Sequence, residues 1–202
     1  MSETWSLFFA LSPEPVIREQ LAERAAALKQ QHPTPSPWVR PERYHLSLPV
    51  VGVFHQAPDA LAQRAIQAAA QIKAAPFELL IDQAGCYAKN PKIPWWLKPS
   101  DTPEGLKQLW RALRETLKTA SLPCLSSSTR PEPHISVVYN AQRSLPDRRI
   151  APLSWTVQDF VLIESRYGGA AADTGHRVLG RWALQGGEPD HARQFDLWDN
   201  PG

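Results

Sequence analysis

Two short stretches of the chain carry residues that could do chemistry. "YHLSLPV", residues 44–50, and "PHISVVY", residues 133–139, share the pattern His, apolar, Ser, apolar. In an extended strand, residues two apart point to the same face. His45 therefore projects with Ser47, and His134 with Ser136, while Leu46, Leu48, Ile135 and Val137 turn toward a core. With 43% apolar residues in the chain, a given histidine starts this pattern by chance about 2% of the time, counting template matches. Two copies among six histidines therefore point to function. Two imidazoles with two hydroxyls suit acid–base work on a phosphodiester. A neutral imidazole takes a proton from attacking water and a protonated one gives a proton to the leaving oxygen, because a free imidazole titrates near pH 6.5. The hydroxyls donate to nonbridging oxygens, where charge builds up in the transition state. In-line displacement places the entering and leaving oxygens on opposite sides of phosphorus, so the two histidines must approach from opposite directions.

Elements to position them can be read along the chain. "WSLFFAL" reads as a strand, followed by a helix in "SPEPVIREQLAERAAALKQQ", with Ile17, Leu21, Ala25 and Leu28 on one face and Ser12 and Pro13 as cap and first turn. A proline-broken loop, "HPTPSPWVRPE", delivers the His45 strand, and a second helix presents Leu61, Ala65, Ala68 and Ile72. "FELLIDQAG" and "KIPWWL" read as strands, then "TPEGLKQLWRALRETLKTA" as a helix capped by Thr102 and Pro103, with Leu106, Leu109, Trp110, Leu113 and Leu117 inward. A second proline-marked loop, "SLPCLSSSTRPEP", delivers the His134 strand, and "WTVQDFVLIES" and "HRVLGRWALQ" close the chain as long strands. The result is an α+β chain with a coarse duplication. Two pseudo-equivalent lobes with outer helices would form a single domain over residues 1–185, the motif strands facing a central groove. Residues 186–202 read as a flexible tail.

Composition narrows the function classes. A net charge of +2 is too small for broad coating of duplex nucleic acid. Cys86 and Cys124 have no paired spacing for structural zinc, and His32, His55, His176 and His191 form no ligand set. These four histidines read as surface or structural residues. No Gly-rich phosphate loop ends in Lys-Ser or Lys-Thr, so P-loop ligation has no support. Without a basic leader or a run of about 20 apolar residues, the expectation is a cytoplasmic protein that does not enter membranes; a monomer that uses neither cofactor nor metal is expected as well.

The chain resembles the two-histidine phosphoesterases, in particular the bacterial RNA 2′,3′-cyclic phosphodiesterases first described as 2′-5′ RNA ligases (LigT-like). The resemblance spans about residues 5–185 and includes "LFFAL", "HLSL" soon followed by "VG", "WWL" then "GLKQLWRALR", "PHISV" and "VLGRWAL". It implies a bilobal α+β fold of mostly antiparallel sheet and the opening of terminal 2′,3′-cyclic phosphates to 2′-phosphates without a divalent metal. It implies His45 and His134 as the acid and base, in unassigned order, and Ser47 and Ser136 as phosphate donors. Two positions depart from the family. Serine replaces the usual threonine in both motifs, which keeps the donor and drops the stiffening methyl. Tyr139 stands where many relatives carry an arginine.

RNA ends or nucleotide 2′,3′-cyclic phosphates are the expected partners. Phe9, Trp96 and Tyr139 are candidates for base stacking, with a core role the alternative for each. Arg40 and Arg130 each open an "RPE" ahead of a motif, where phosphate binding and a plain loop role both fit. Other readings are a phosphodiesterase for small cyclic nucleotides, 2′-5′ oligonucleotides or ADP-ribose cyclic phosphate, and a module that binds 2′-phosphorylated RNA ends.

Overall fold

The computed structural model describes residues 3–87, 93–168 and 175–185, so the expected tail and His191 lie outside the described residues. The chain runs β1 (Thr4–Leu11), α1 (Pro15–Gln31), a 3-10 turn (Pro41–Arg43), β2 (Leu46–Phe54), α2 (Asp59–Ala69), β3 (Phe77–Cys86) and β4 (Ile93–Lys98). It continues through α3 (Glu104–Thr119), β5 (Ile135–Ala141), β6 (Arg148–Val157), β7 (Asp159–Tyr167) and β8 (His176–Ala183). The protein is α+β, as its pattern of periodicities predicts. Among the described residues, no helix is long and apolar enough to cross a membrane.

All eight strands join one antiparallel sheet in the order β6-β3-β4-β5-β2-β1-β7-β8. The central pair, β2 and β5, meets at one register position, Leu46 opposite Ile135. These are the residues that follow the two motif histidines, so the duplication seen in the sequence is a relation between two four-strand halves. In each half a strand, a helix and a motif strand follow in the same order, β1-α1-β2 and β4-α3-β5.

The expected strand "WTVQDFVLIES" is in fact two. Only Gln158 separates β6, at one edge of the sheet, from β7, which pairs in the other half. One residue spans at most about 3.6 Å, so the sheet cannot be flat: it curls until these strand ends meet.

Side-chain alternation sorts the two faces. Leu7, Phe9, Leu11, Leu46, Leu48, Ile135 and Val137 belong to the main core with the inward residues of the helices. The opposite face of β1, β2 and β7 carries a smaller apolar cluster of Phe8, Ala10, Val161 and Ile163, with Val50 against it. The predicted inner faces of α1 and α3 are buried as expected, from Ile17 through Leu28 and from Leu106 through Leu117.

The helix starts differ from expectation. α1 begins at Pro15 after Glu14, and α3 at Glu104 after Pro103, and neither N-cap makes a side-chain hydrogen bond. Ser12 and Thr102 lie outside the helices. At α1 the fixed φ of Pro15 at the first helical position sets the start instead. α2 also buries a shifted face, Ala62, Ala65 and Ala69, leaving Leu61 and Ala68 half-buried, and it ends before Ile72. The buried face consists of alanines, which a reading based on large apolar residues misses.

Candidate active site

Each motif histidine stands one residue ahead of its strand, on the face away from the main core. His45 Nδ1 lies 2.8 Å from the carbonyl oxygen of Arg43, and His134 Nδ1 lies 2.8 Å from that of Glu132. A carbonyl only accepts, so in both rings Nδ1 carries the hydrogen and Nε2 is left for chemistry. The same contact, two residues back, recurs in both copies. It fixes ring orientation without borrowing a carboxylate.

The antiparallel register about Leu46 and Ile135 sets His45 level with Ser136 and Ser47 level with His134. Each motif histidine is thus level with the serine of the other copy across the junction. Both serines are half-buried. Across the neighbouring strand pairs, Ser47 stands opposite Ala10 and Ser136 opposite Trp96.

The two histidines have different neighbours. His45 packs against Phe8, with ring centroids 5.2 Å apart, and against His176 at 4.9 Å in a T-shaped contact. Burial pushes the His45 imidazole below its ordinary pKa; the Arg43 carbonyl opposes this, while His134 and Arg43 add to it through charge. His176, opposite Ser165 on the neighbouring strand, is pushed down to about 4, by burial first and then by His45 and Arg43. On the other side, His134 meets Tyr87 edge-on at 5.4 Å, with the phenol oxygen 3.4 Å from Nδ1. Burial raises the Tyr87 pKa, with Glu132 and Asp147 adding to the shift, so the phenol keeps its proton.

The remaining candidates separate. Phe9 is in the main core against Phe160 and Trp182, each at 6.1 Å, and is 1% exposed. It has no face for a base to stack on. Alternation puts its neighbour Phe8 on the site face instead, and a shift of one residue in a strand exchanges the faces. Trp96 does lie on the site face, but it is buried beneath Tyr87 and Lys98 and forms floor, not a stacking platform. Tyr139 is 40% exposed. Burial raises its pKa, the Arg43 charge lowers it and Tyr167 raises it.

Arg40 is exposed, and its carbonyl closes the turn by accepting from the Arg43 N–H at 2.9 Å. Arg130 is exposed in a separate cavity of about 640 Å³ with Thr102, Lys107 and Arg111. Neither contacts a motif side chain.

Sequence reasoning does not single out Phe8 or Tyr87, reads His176 as surface or structural, and notes Arg43 only beside Arg40 in a modest arginine cluster that fits an anion site or solvated surface. Only the pairing of β8 with β7 brings His176, distant in sequence, against His45. Among the described residues, no three side chains of metal-ligating type converge.

Residues 13–169 match the family model described as the 2′-5′ RNA ligase superfamily. Among solved structures, E. coli LigT complexed with 3′-AMP is similar at 26% identity and a TM-score of 0.68, covering 92% of this chain and 100% of that one. A structure described as a phosphoesterase is similar at 27% identity and a TM-score of 0.70, covering 90% of this chain and 98% of that one. A Thermus thermophilus protein, TT0787, at 20% identity and a TM-score of 0.67, shares the fold over 91% of this chain and 100% of its own. No curated protein matches the sequence significantly.

Proposed function

The chain belongs to the 2′-5′ RNA ligase superfamily, and from that premise we propose that it is an RNA 2′,3′-cyclic phosphodiesterase that opens terminal cyclic phosphates to 2′-phosphomonoesters. One observation carries the reading. Two oriented imidazoles, each with Nε2 available, stand on either side of a single strand junction with a serine hydroxyl opposite each.

In the reaction, water oxygen bonds to phosphorus as the bond from phosphorus to O3′ breaks. One histidine takes the proton from water, and the other gives its Nε2 proton to O3′, which leaves as the 3′-hydroxyl. Ser47 and Ser136 donate to the nonbridging oxygens. What supports His45 as the base is its environment: burial, together with the nearby His134 and Arg43 charges, outweighs its backbone hydrogen bond and favours the neutral ring. His134, beside the phenol of Tyr87, then serves as the acid. With a ribose 5′-hydroxyl in place of water, the same exchange forms a 2′-5′ linkage. The bilobal unit over residues 1–185 is part of the same proposal.

The test is turnover of a panel with chelator present: a short RNA ending in a 2′,3′-cyclic phosphate, cyclic mononucleotides and 2′-5′ oligonucleotides. The RNA should yield a 2′-phosphate and turn over fastest. A 3′-phosphate product, or binding without any turnover, would contradict the reading, the latter in favour of a module for RNA ends.

A further inference from the structure

In the reaction as described so far Arg43 only favours the neutral ring of His45 through its charge, yet it is held at the site by contacts of its own. Its guanidinium is half-buried, its Nε is buried without a hydrogen-bond partner, and no carboxylate forms an ion pair with it among the described residues. Its Nη2 lies 3.4 Å from His176 Nε2. An arginine only donates, so His176 meets it with the bare lone pair of a neutral ring. His176 in turn packs on Phe8 and His45, which ties the guanidinium to the His45 side of the site.

The titratable groups set toward this guanidinium are His176 from β8, through its Nε2, and His45 ahead of β2, against which His176 packs, with Tyr139 from β5 sensing its charge. None carries a negative charge near neutral pH. A cation withdrawn from water is costly unless an anion or strong acceptors answer it. Here one neutral imidazole nitrogen does so, and at a long distance.

We propose that Arg43, positioned by His176, binds a phosphate group of the substrate against His45 through its guanidinium. Arg43 is then the ligand-touching residue and His176 the positioning residue. The ligand class is a nucleotide phosphate, monoester or cyclic diester. This rests on the two-histidine reading for its location, but phosphate binding is measurable without turnover.

The experiment is calorimetric titration of adenosine 2′-phosphate into the unaltered protein, Arg43→Gln, Arg43→Lys, His176→Phe and His176→Gln, with circular dichroism melts to confirm folding. Hydrogen bonds to charged groups are typically worth enough for roughly 10- to 100-fold in affinity. Arg43→Gln should lose that much, and Arg43→Lys less, because it keeps the charge without the fork. If the glutamine variant does not fold, the lysine variant carries the test. His176→Phe keeps the ring packing and removes the acceptor, so it should weaken binding several-fold; His176→Gln, which keeps an acceptor, should recover part of the loss. Binding by Arg43→Gln within twofold of the unaltered protein would overturn the proposal, as would no binding by the unaltered protein. Arg43-dependent binding without turnover of any cyclic phosphate would defeat the proposed reaction and leave this inference standing. Normal turnover and KM in Arg43→Gln would do the reverse.

Discussion

At the scale of single residues, the site keeps imidazoles uncharged where burial is deepest. His176, pushed down to about 4, is neutral in the fold but titrates near 6.5 in an unfolded chain. Between those values the unfolded state binds more protons, so its contribution to stability is full above about 6.5 and is lost as pH falls toward about 4. His45, also lowered, acts in the same sense. We predict that His176→Phe, which removes one of the two, shows a smaller loss of unfolding free energy between pH 7 and pH 4.5 than the unaltered protein in urea titrations. An unchanged loss would contradict the assignment. This behaviour was not legible in the sequence. The motif histidines announce themselves by repetition, but His176 is a lone histidine whose meaning comes from strand pairing, and Arg43 reads as one basic residue among several. Phe9 takes the core role that was its alternative, while Phe8, one position earlier, lies on the opposite face, because one position in a strand exchanges the faces.

The elements place the site through one contact. β2 and β5 share one ladder pair, Leu46 and Ile135, both fully buried, and we predict that the orientation of the two motifs depends on it. Truncation of a buried leucine or isoleucine to alanine commonly costs about 2–5 kcal/mol. Leu46→Ala and Ile135→Ala should each fall in this range in denaturant unfolding at pH 7. Each should also lower turnover of a cyclic phosphate under conditions where the protein remains folded. A loss of stability with unchanged turnover would mean that the junction does not set the motif geometry. Much at this scale was legible, because long amphipathic helices and alternating strands declare their buried faces. Cap positions were less so: Pro15 sets the α1 start past Ser12 and Pro13, and at α3 Pro103 of the expected Thr102–Pro103 cap is the N-cap. The division at Gln158 was also hidden, because β6 and β7 are nearly continuous in sequence and part only when the sheet curls.

At the scale of the whole molecule, the repeat yields two similar halves that differ around their motif histidines. One half surrounds its histidine with Phe8, His176 and Arg43, and the other sets Tyr87 beside its own. A duplicated motif with unequal surroundings is what an acid and a base require, since the two must differ in protonation at the same pH. The duplication was visible from the sequence, and the inequality was not, because it arises from residues that are scattered along the chain and gathered by the sheet. In the proposed reaction each half contributes one proton-transfer group. The measurement that tests it most directly is kcat/KM for a short RNA ending in a 2′,3′-cyclic phosphate, with chelator present, for the unaltered protein, His45→Ala and His134→Ala. Proton transfer by a positioned side chain is typically worth about 10²- to 10⁴-fold, and we predict a loss of that order in each variant. Turnover that survives in either variant to within a few-fold would contradict the account.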